Sequence, residues 1–389
     1  MKKFLVLLPW TEFLDVHLVK DVGLFPEYLG NEYKIPVDFV FLDSNNGTKK
    51  ENYKGMNLIK LAPKKEFSEV PRLAFQPFAF FKFFKIFTDF LKKNKTEYSH
   101  IMMFHINSTT LLFVKFIKKI NPKIKIYIKA DAVLFKRKQW IYFYKILKKV
   151  DFISIESEEL AEKAKTRFKA FSEKIAYIPN GFDDKDFNRK LFLQPKENLI
   201  IQTARFGTAP KNTQLLLNVL SKVDLKDWKV ILAGTIERDF LPYLENFFSA
   251  HPKLKEKISF VGNISDREKI YELYAKAKIF ILTSRWESFS LSLMEAAFLG
   301  DYIISTDIRI AKVIQEKFKG FVADGNPNDA KNDDKIANKM ATELQKCIDN
   351  EGTHCIIDEQ ILDEIQKYFS MSNIVKDKLY ETFFLQGQS

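Results

Sequence analysis

Long apolar runs are missing from this chain. No stretch approaches the ~20 consecutive apolar residues that a membrane-spanning helix needs, so hydropathy points to no transmembrane segment. Cysteine is scarce. Cys347 and Cys355 are the only two in 389 residues, which argues against a disulfide scaffold and for a reducing compartment. The five histidines are scattered, and no Cys/His cluster has zinc-ligand spacing. No repeat recurs at a solenoid period. Phe4 to Pro9 after two lysines superficially resembles a secretion signal. Its apolar core is short, meets Glu12 and Asp15, and lacks a small-residue cleavage site, so it reads as a first buried strand.

What is present suits two domains. A hydrophobic content of 46% can fill two cores, and the length exceeds what one core of ordinary size uses. Short β-rich runs alternate with longer helical patterns. One series is Lys3–Leu8, Val37–Leu42, Asn57–Leu61, His100–His105, Lys125–Lys129, Asp151–Ile155 and Lys174–Ile178. The second is Leu199–Thr203, Lys229–Ala233, Ile258–Val261, Ile279–Leu282, Tyr302–Ser305 and Gly320–Val322. Near-continuous apolar strands between helices predict parallel sheets covered on both faces. The expected class is α/β, with two Rossmann-like domains. Turn residues and charge between Pro179 and Pro195 set the expected boundary. It separates a domain over 1–183 from a second over 184–365, with a linker at about 184–196, and the last stretch, 366–389, is helical in pattern.

Chemistry concentrates in the second half. Glu287 and Glu295 bracket a segment that leaves the strand Ile279–Leu282 and enters a helix. The unpaired N–H groups of that helix start can hold a phosphate while carboxylates grip hydroxyls on either side. Two surface glutamates on a helix would give the same spacing. Upstream, Arg205 leaves the end of the strand Leu199–Thr203 and Lys211 enters the next helix behind Pro210. Both can point to the carboxyl ends of the strands, where open α/β sheets bind ligands. Arg supplies a planar fork for phosphate oxygens and Lys a point charge. Gly234 and Gly262 follow strands, where a missing side chain lets backbone come close to a ligand.

This pattern resembles glycosyltransferase family 4, the retaining glycosyltransferases of GT-B fold. The matching elements are Glu287 to Glu295, Arg205 to Asn212, Pro179-Asn180-Gly181-Phe182-Asp183, and the glycines after strands. They cover the second half densely and the first half more weakly. The resemblance implies two Rossmann-like domains facing across a cleft, with a C-terminal helix returning to the first. It implies sugar transfer with retention from a nucleoside-diphosphate sugar, expected to be a UDP-sugar, to a hydroxyl acceptor. That acceptor is expected to be a lipid-linked or cell-surface glycan in polysaccharide or lipopolysaccharide synthesis. Glu287 would meet the donor sugar, Glu295 the ribose, Arg205 and Lys211 the pyrophosphate, and the amides of Phe289, Ser290 and Leu291 the distal phosphate. The nucleotide site would also include Gly234. No cofactor or metal is expected, since the pyrophosphate already has cationic partners, and Asp184-Lys185-Asp186 is rejected as a metal motif. Three positions depart from the family pattern: Ser290 and Asp301, where relatives often have Gly and Pro, and Ile308-Arg309-Ile310, which replaces a Gly-Gly pair.

The first half is expected to hold the acceptor. Gly23, after the first strand, is expected in a loop facing it. His105 ends a strand on the crevice side, where it could equally be a packed residue. Asp131 is the only acid among twelve Lys/Arg between Lys115 and Lys149, either an acceptor contact or a salt-bridge partner. That basic stretch carries nearly all of the +12 net charge and implies an anionic partner. Phe75 to Lys95 reads as a helix with an excess of Phe and a basic end, either a core helix or one lying in a membrane interface. The expected location is cytoplasmic, peripheral on the cytoplasmic face of the membrane. Two rivals remain: a nucleotide-sugar epimerase of GT-B fold, and a nucleic-acid-binding protein, which is disfavoured because the basic stretch holds no recognisable motif.

Overall fold

A computed structural model of the protein describes residues 2–63, 67–72, 75–130, 140–185, 187, 191, 195–350 and 353–385. The chain divides into two compact units, Met1–Lys185 with Ser370–Ser389, and Asp186–Phe369.

The first unit is built on an eight-stranded sheet. Its strands are β1 (Lys3–Leu7), β2 (Val37–Leu42), β3 (Asn52–Tyr53), β4 (Met56–Leu61), β5 (Tyr98–Phe104), β6 (Lys125–Ala130), β7 (Phe152–Ile155) and β8 (Ile175–Tyr177). They lie in the order β3-β4-β2-β1-β5-β6-β7-β8, all parallel except for the edge strand β3. Strands such as β2 are buried along their whole length, as the apolar runs require when helices cover both faces. The one acid in β2, Asp38, is buried but satisfied. It accepts from Lys3 at 3.1 Å, Tyr98 at 2.8 Å and Asn57 at 3.1 Å.

The Phe-rich segment forms the helix Pro77–Lys93, with Pro77 in its first turn. Phe80, Phe83, Phe87 and Leu91 face the core. Phe75, Phe78 and Phe81 do not, at 78%, 84% and 60% exposure. One periodicity thus serves two surfaces.

The other side of the sheet is closed by the end of the chain. The helix Glu359–Phe369 belongs to the second unit, and Ser370 breaks it. Its hydroxyl donates to Asp184 at 2.7 Å and accepts from the Asn373 N–H at 3.1 Å. Asp184 also accepts from the Ser372 N–H. Beyond this corner Met371, Ile374, Val375, Leu379 and Phe383 pack into the core of the first unit.

The second unit has six parallel strands: β9 (Glu197–Thr203), β10 (Lys229–Ala233), β11 (Ile258–Gly262), β12 (Ala277–Leu282), β13 (Tyr302–Thr306) and β14 (Gly320–Ala323). Their order is β11-β10-β9-β12-β13-β14. Winding therefore reverses between β9 and β12, and ligand sites of such sheets lie at the carboxyl ends of that pair.

Asp301, where Pro was expected, is fully buried beneath this sheet. Lys196 explains it: its ammonium reaches Asp301 Oδ1 at 2.5 Å and the carbonyls of Tyr274 and Leu299 at 3.0 and 2.8 Å. Burial lifts the Asp301 carboxyl from 3.8 to about 7, against the opposing pull of Lys196. A raised acid stabilises the fold fully below its unfolded value and loses that contribution as pH climbs through the folded value. The stability of wild type relative to Asp301→Asn should therefore fall from pH 4 to 7, by about 1 kcal/mol per pH unit. Urea unfolding of both proteins across this range measures it, and a pH-independent difference would contradict it.

Candidate functional site

The two loops at the reversal point are tied together by backbone. After β9 the chain passes Arg205 and Gly207 into one 3-10 turn, Ala209–Lys211, and then the helix Thr213–Ser221. Gly207 has φ +86°, and a Cβ there would meet the Phe240 Cβ at 2.5 Å, so the turn needs glycine. After β12, the Thr283 hydroxyl donates to the Lys211 carbonyl at 3.2 Å and the Arg285 N–H to the Pro210 carbonyl at 2.8 Å. The Lys211 ammonium, so placed, lies 2.5 Å from Glu287 Oε1, which also accepts from the Ser284 hydroxyl at 2.7 Å. Both side chains of this ion pair are mostly buried.

Glu287 leads into the eight-residue helix Leu291–Phe298. Ser290 is its N-cap, but its hydroxyl points to Ser292 instead of capping a backbone donor. The N–H groups of the first turn have no carbonyl behind them in the helix. Phe289 and Leu291 are half-buried and Ser290 is buried. Ser290, where relatives often have glycine, takes an extended conformation at φ −83° and ψ 99°, which needs no glycine.

Glu295 lies one turn into this helix and is buried. It is paired with Arg267, which opens the helix Arg267–Lys276 behind the N-cap Asp266. Burial opposes the charge on Arg267, but Glu295 beside it raises the Arg267 pKa above its ordinary value. The guanidinium also lies 4.9 Å from the Tyr271 ring and donates to its hydroxyl. Arg267 was absent from the sequence reading. The available signal was an N-cap followed by Arg at the start of the helix after β11, on the same strand-end side of the sheet.

Three further residues are placed differently from one another. Arg205 is 72% exposed and pairs with Glu237 at 3.0 Å; no contact joins it to Lys211 or Glu287 among the described residues. Arg285 is structural: it grips Asp333 through both nitrogens, at 3.2 and 2.7 Å, and the Pro327 carbonyl at 2.9 Å. Gly234, at φ +144°, is required by protein backbone, since a Cβ would lie 1.8 Å from the Ala204 carbonyl oxygen.

In the first unit the winding reverses between β1 and β5. Trp10 follows β1 and His105 follows β5, and their rings stack at 5.9 Å. His105 takes φ +60°, a left-handed conformation that side chains rarely adopt. His17 packs edge-on to Trp10 at 5.4 Å, and its Nδ1 accepts from the Leu14 N–H. Trp10 and His17 were missed because each is a single aromatic with no spacing to mark it.

Gly23 corrects the sequence reading. It is no loop residue but lies buried in the helix Asp21–Tyr33, where a Cβ would meet the Leu18 carbonyl oxygen at 2.1 Å. The glycine lets two successive helices pass closely. Asp131 lies outside the described residues. Its neighbour Lys129 is buried against Asp21 at 3.4 Å, Glu156 at 3.8 Å and the Asn180 amide oxygen at 2.6 Å. Lys118 and Lys125 both pair with Asp151. Part of the basic stretch is thus neutralised within the unit.

Residues 183–351 match the family described as glycosyl transferases group 1. A segment of 79 residues is 37% identical to the serotype-specific mannosyltransferase WbdA of Escherichia coli, covering 20% of this chain and 10% of that protein. The lipopolysaccharide outer core galactosyltransferase WaaB superposes at TM-score 0.69 with 17% identity, over 99% of this chain and 100% of that one. HepE of Anabaena, solved in complex with UDP, superposes at TM-score 0.69 with 14% identity, over 96% and 98%. The fold is that of the GT-B glycosyltransferases.

Removing Arg267 would leave Glu295 buried without its cation. The guanidinium is partly exposed, so Arg267→Met should cost about 1–3 kcal/mol in urea unfolding, below the full penalty of a buried pair. Adding Glu295→Gln should restore part of that loss. Strictly additive losses would show that the two do not interact.

Proposed function

We propose that this protein, whose residues 183–351 form a glycosyl transferases group 1 domain, transfers a sugar with retention from a nucleoside-diphosphate sugar to a hydroxyl acceptor. The observation that carries this reading is the arrangement around one helix start. Lys211 and Glu287 lie before it, open N–H groups lie at it, and Glu295 is held by Arg267 one turn inside.

Each group has a role in this reading. The amides of Phe289, Ser290 and Leu291 take the distal phosphate. Lys211 turns from Glu287 to the pyrophosphate, which frees Glu287 to accept from sugar hydroxyls. Donor binding therefore exchanges the partner of the lysine instead of burying a new charge. Glu295 accepts from the ribose diol. Arg205, exposed and weakly held by Glu237, swings to the phosphates. In the transfer, the bond between the anomeric carbon and the diphosphate oxygen breaks, and the electron pair leaves with the diphosphate. The acceptor oxygen bonds to that carbon on the same face, and its proton passes to the departing phosphate. Lys211 and the helix amides stabilise the charge that grows there. No step calls for a metal.

Uridine is the base we infer, on the similarity to HepE bound to UDP. The acceptor we infer is a lipid-linked or cell-surface glycan, on the similarity to WbdA and WaaB. The first unit would carry it, with His105 and Trp10 at the strand ends. Phe75, Phe78 and Phe81, beside Lys82 and Lys85, would rest on an anionic membrane surface. Among the described residues no helix is long and apolar enough to cross a membrane.

Two measurements test this. Calorimetric titration with UDP and GDP should show about 10- to 100-fold weaker binding for Lys211→Ala and Glu295→Ala, the scale of a lost charged hydrogen bond. Glu287→Gln should bind nucleotide but transfer poorly. Unchanged nucleotide affinity in the first two variants would overturn the site. In flotation with phosphatidylglycerol vesicles, changing Phe75, Phe78 and Phe81 together to Ser should weaken association at least about tenfold. Equal flotation of wild type and variant would remove the membrane contact.

A further inference from the structure

The two cysteines of the chain meet in the second unit, at the end of β13 away from the donor site. Glu343 and Cys347 stand one turn apart on the helix Asp333–Asp349. The chain then folds back through the 3-10 turn Thr353–Cys355, which returns His354 and Cys355 to the same place. The ligand atoms of Glu343, Cys347 and His354 all lie within 4.8 Å of one another. Cys355 joins them through a hydrogen bond between the two thiols. Both cysteines are buried and neither is in a disulfide.

We propose that Glu343, Cys347, His354 and Cys355 bind one divalent transition metal of the zinc class, as a structural site independent of the transfer reaction. The donor set is that of a closed tetrahedral site: two sulfurs, one imidazole nitrogen and one carboxylate oxygen. Ligand distances in such sites, about 2.0–2.3 Å, place ligand atoms under 4 Å apart, so Glu343, Cys347 and His354 need only a small contraction, and the Cys355 sulfur would turn in from beside Cys347. The carboxylate is already aimed, since Glu343 Oε1 accepts from the Tyr302 hydroxyl at 2.7 Å, and such outer contacts orient metal ligands. The same oxygen lies 2.8 Å from His354 Nε2, a contact between two ligands that the metal would replace. The partly exposed His354 ring gives an entry path from solvent. Each thiol releases its proton on binding. The resulting negative charge is offset by the metal and by Lys346, 3.5 Å from Glu343 Oε2.

The site lies far from the chemistry. Tyr302 is the first residue of β13, while Thr306, the last, donates to the Ser284 carbonyl beside Glu287. The strand spans five residues, so its two ends lie about 13 Å apart. The metal would fix the end of the long helix to the start of β13. No CxxC spacing announces the site, because two ligands come from one helical turn and two from the reversal after it.

The test uses the full chain, stripped with chelator and kept reduced, then titrated with Co2+. One equivalent should produce a thiolate-to-cobalt charge-transfer band and intense tetrahedral d–d bands, both bleached by Zn2+. Saturating Zn2+, about a thousandfold over its Kd, should raise the melting temperature by roughly 10 °C. Cys347→Ser should roughly halve the charge-transfer band, since Cys355 remains as the second thiolate, and should weaken Co2+ binding. His354→Ala, at a partly exposed position that tolerates change, should keep the band but bind Co2+ at least tenfold more weakly. The proposal is overturned if one equivalent gives no such band, if the band survives unchanged in Cys347→Ser, or if His354→Ala binds as wild type does.

Discussion

Two hydrogen bonds to the turn after β9, from the Thr283 hydroxyl and the Arg285 N–H, fix the relation between the loops of the second unit. Without them the Lys211 ammonium and the Glu287 carboxylate would sit on independent segments. Arg285 makes the tie durable, because its guanidinium is anchored to Asp333 and Pro327 on the far side. Gly207 and Gly234 let the segments after β9 and β10 come close, each at a place where a methyl group would strike its neighbour, Phe240 or Ala204. Backbone places this site and side chains occupy it. That order suits a ligand whose phosphates are gripped by main-chain donors.

Charge is handled differently in the two units. In the first, cations and acids, buried or half-buried, neutralise one another: Lys129 with Asp21 and Glu156, Lys3 with Asp38, and Lys54 with Glu27 and Asp183. Removing one member of such a group strands the other. In the second unit, Lys211–Glu287 and Arg267–Glu295 lie at strand and helix ends, where a ligand can compete for one partner. Groups of the first kind hold a fold, as Lys196–Asp301 also does in the second unit.

Strands were legible because they are apolar along their whole length and helices separate them. The runs read from sequence correspond to thirteen of the fourteen strands, and the edge strand Asn52–Tyr53 is too short and polar to give a pattern. The Glu287 to Glu295 segment was legible because it combines a strand end, a helix start and acids at fixed spacing. Partners across the fold were not. Arg267 meets Glu295 from another helix, and the Asn180 side chain bridges Lys129 and Glu156 across strand ends. Gly23 misled because glycine serves close helix passage as well as loops. The Phe-rich segment was ambiguous for a physical reason: one helix carries both a core stripe and an exposed one.

The break at Ser370 has a consequence for how the protein comes into being. The first unit is discontinuous in sequence, and its core needs Met371, Ile374, Val375, Leu379 and Phe383, which lie beyond the whole of the second unit. During synthesis the second unit can close on itself while the first still lacks one wall. The sheet made earliest is thus completed last. A premature stop just after Phe369 would spare the unit nearest to it and injure the one begun at the N-terminus.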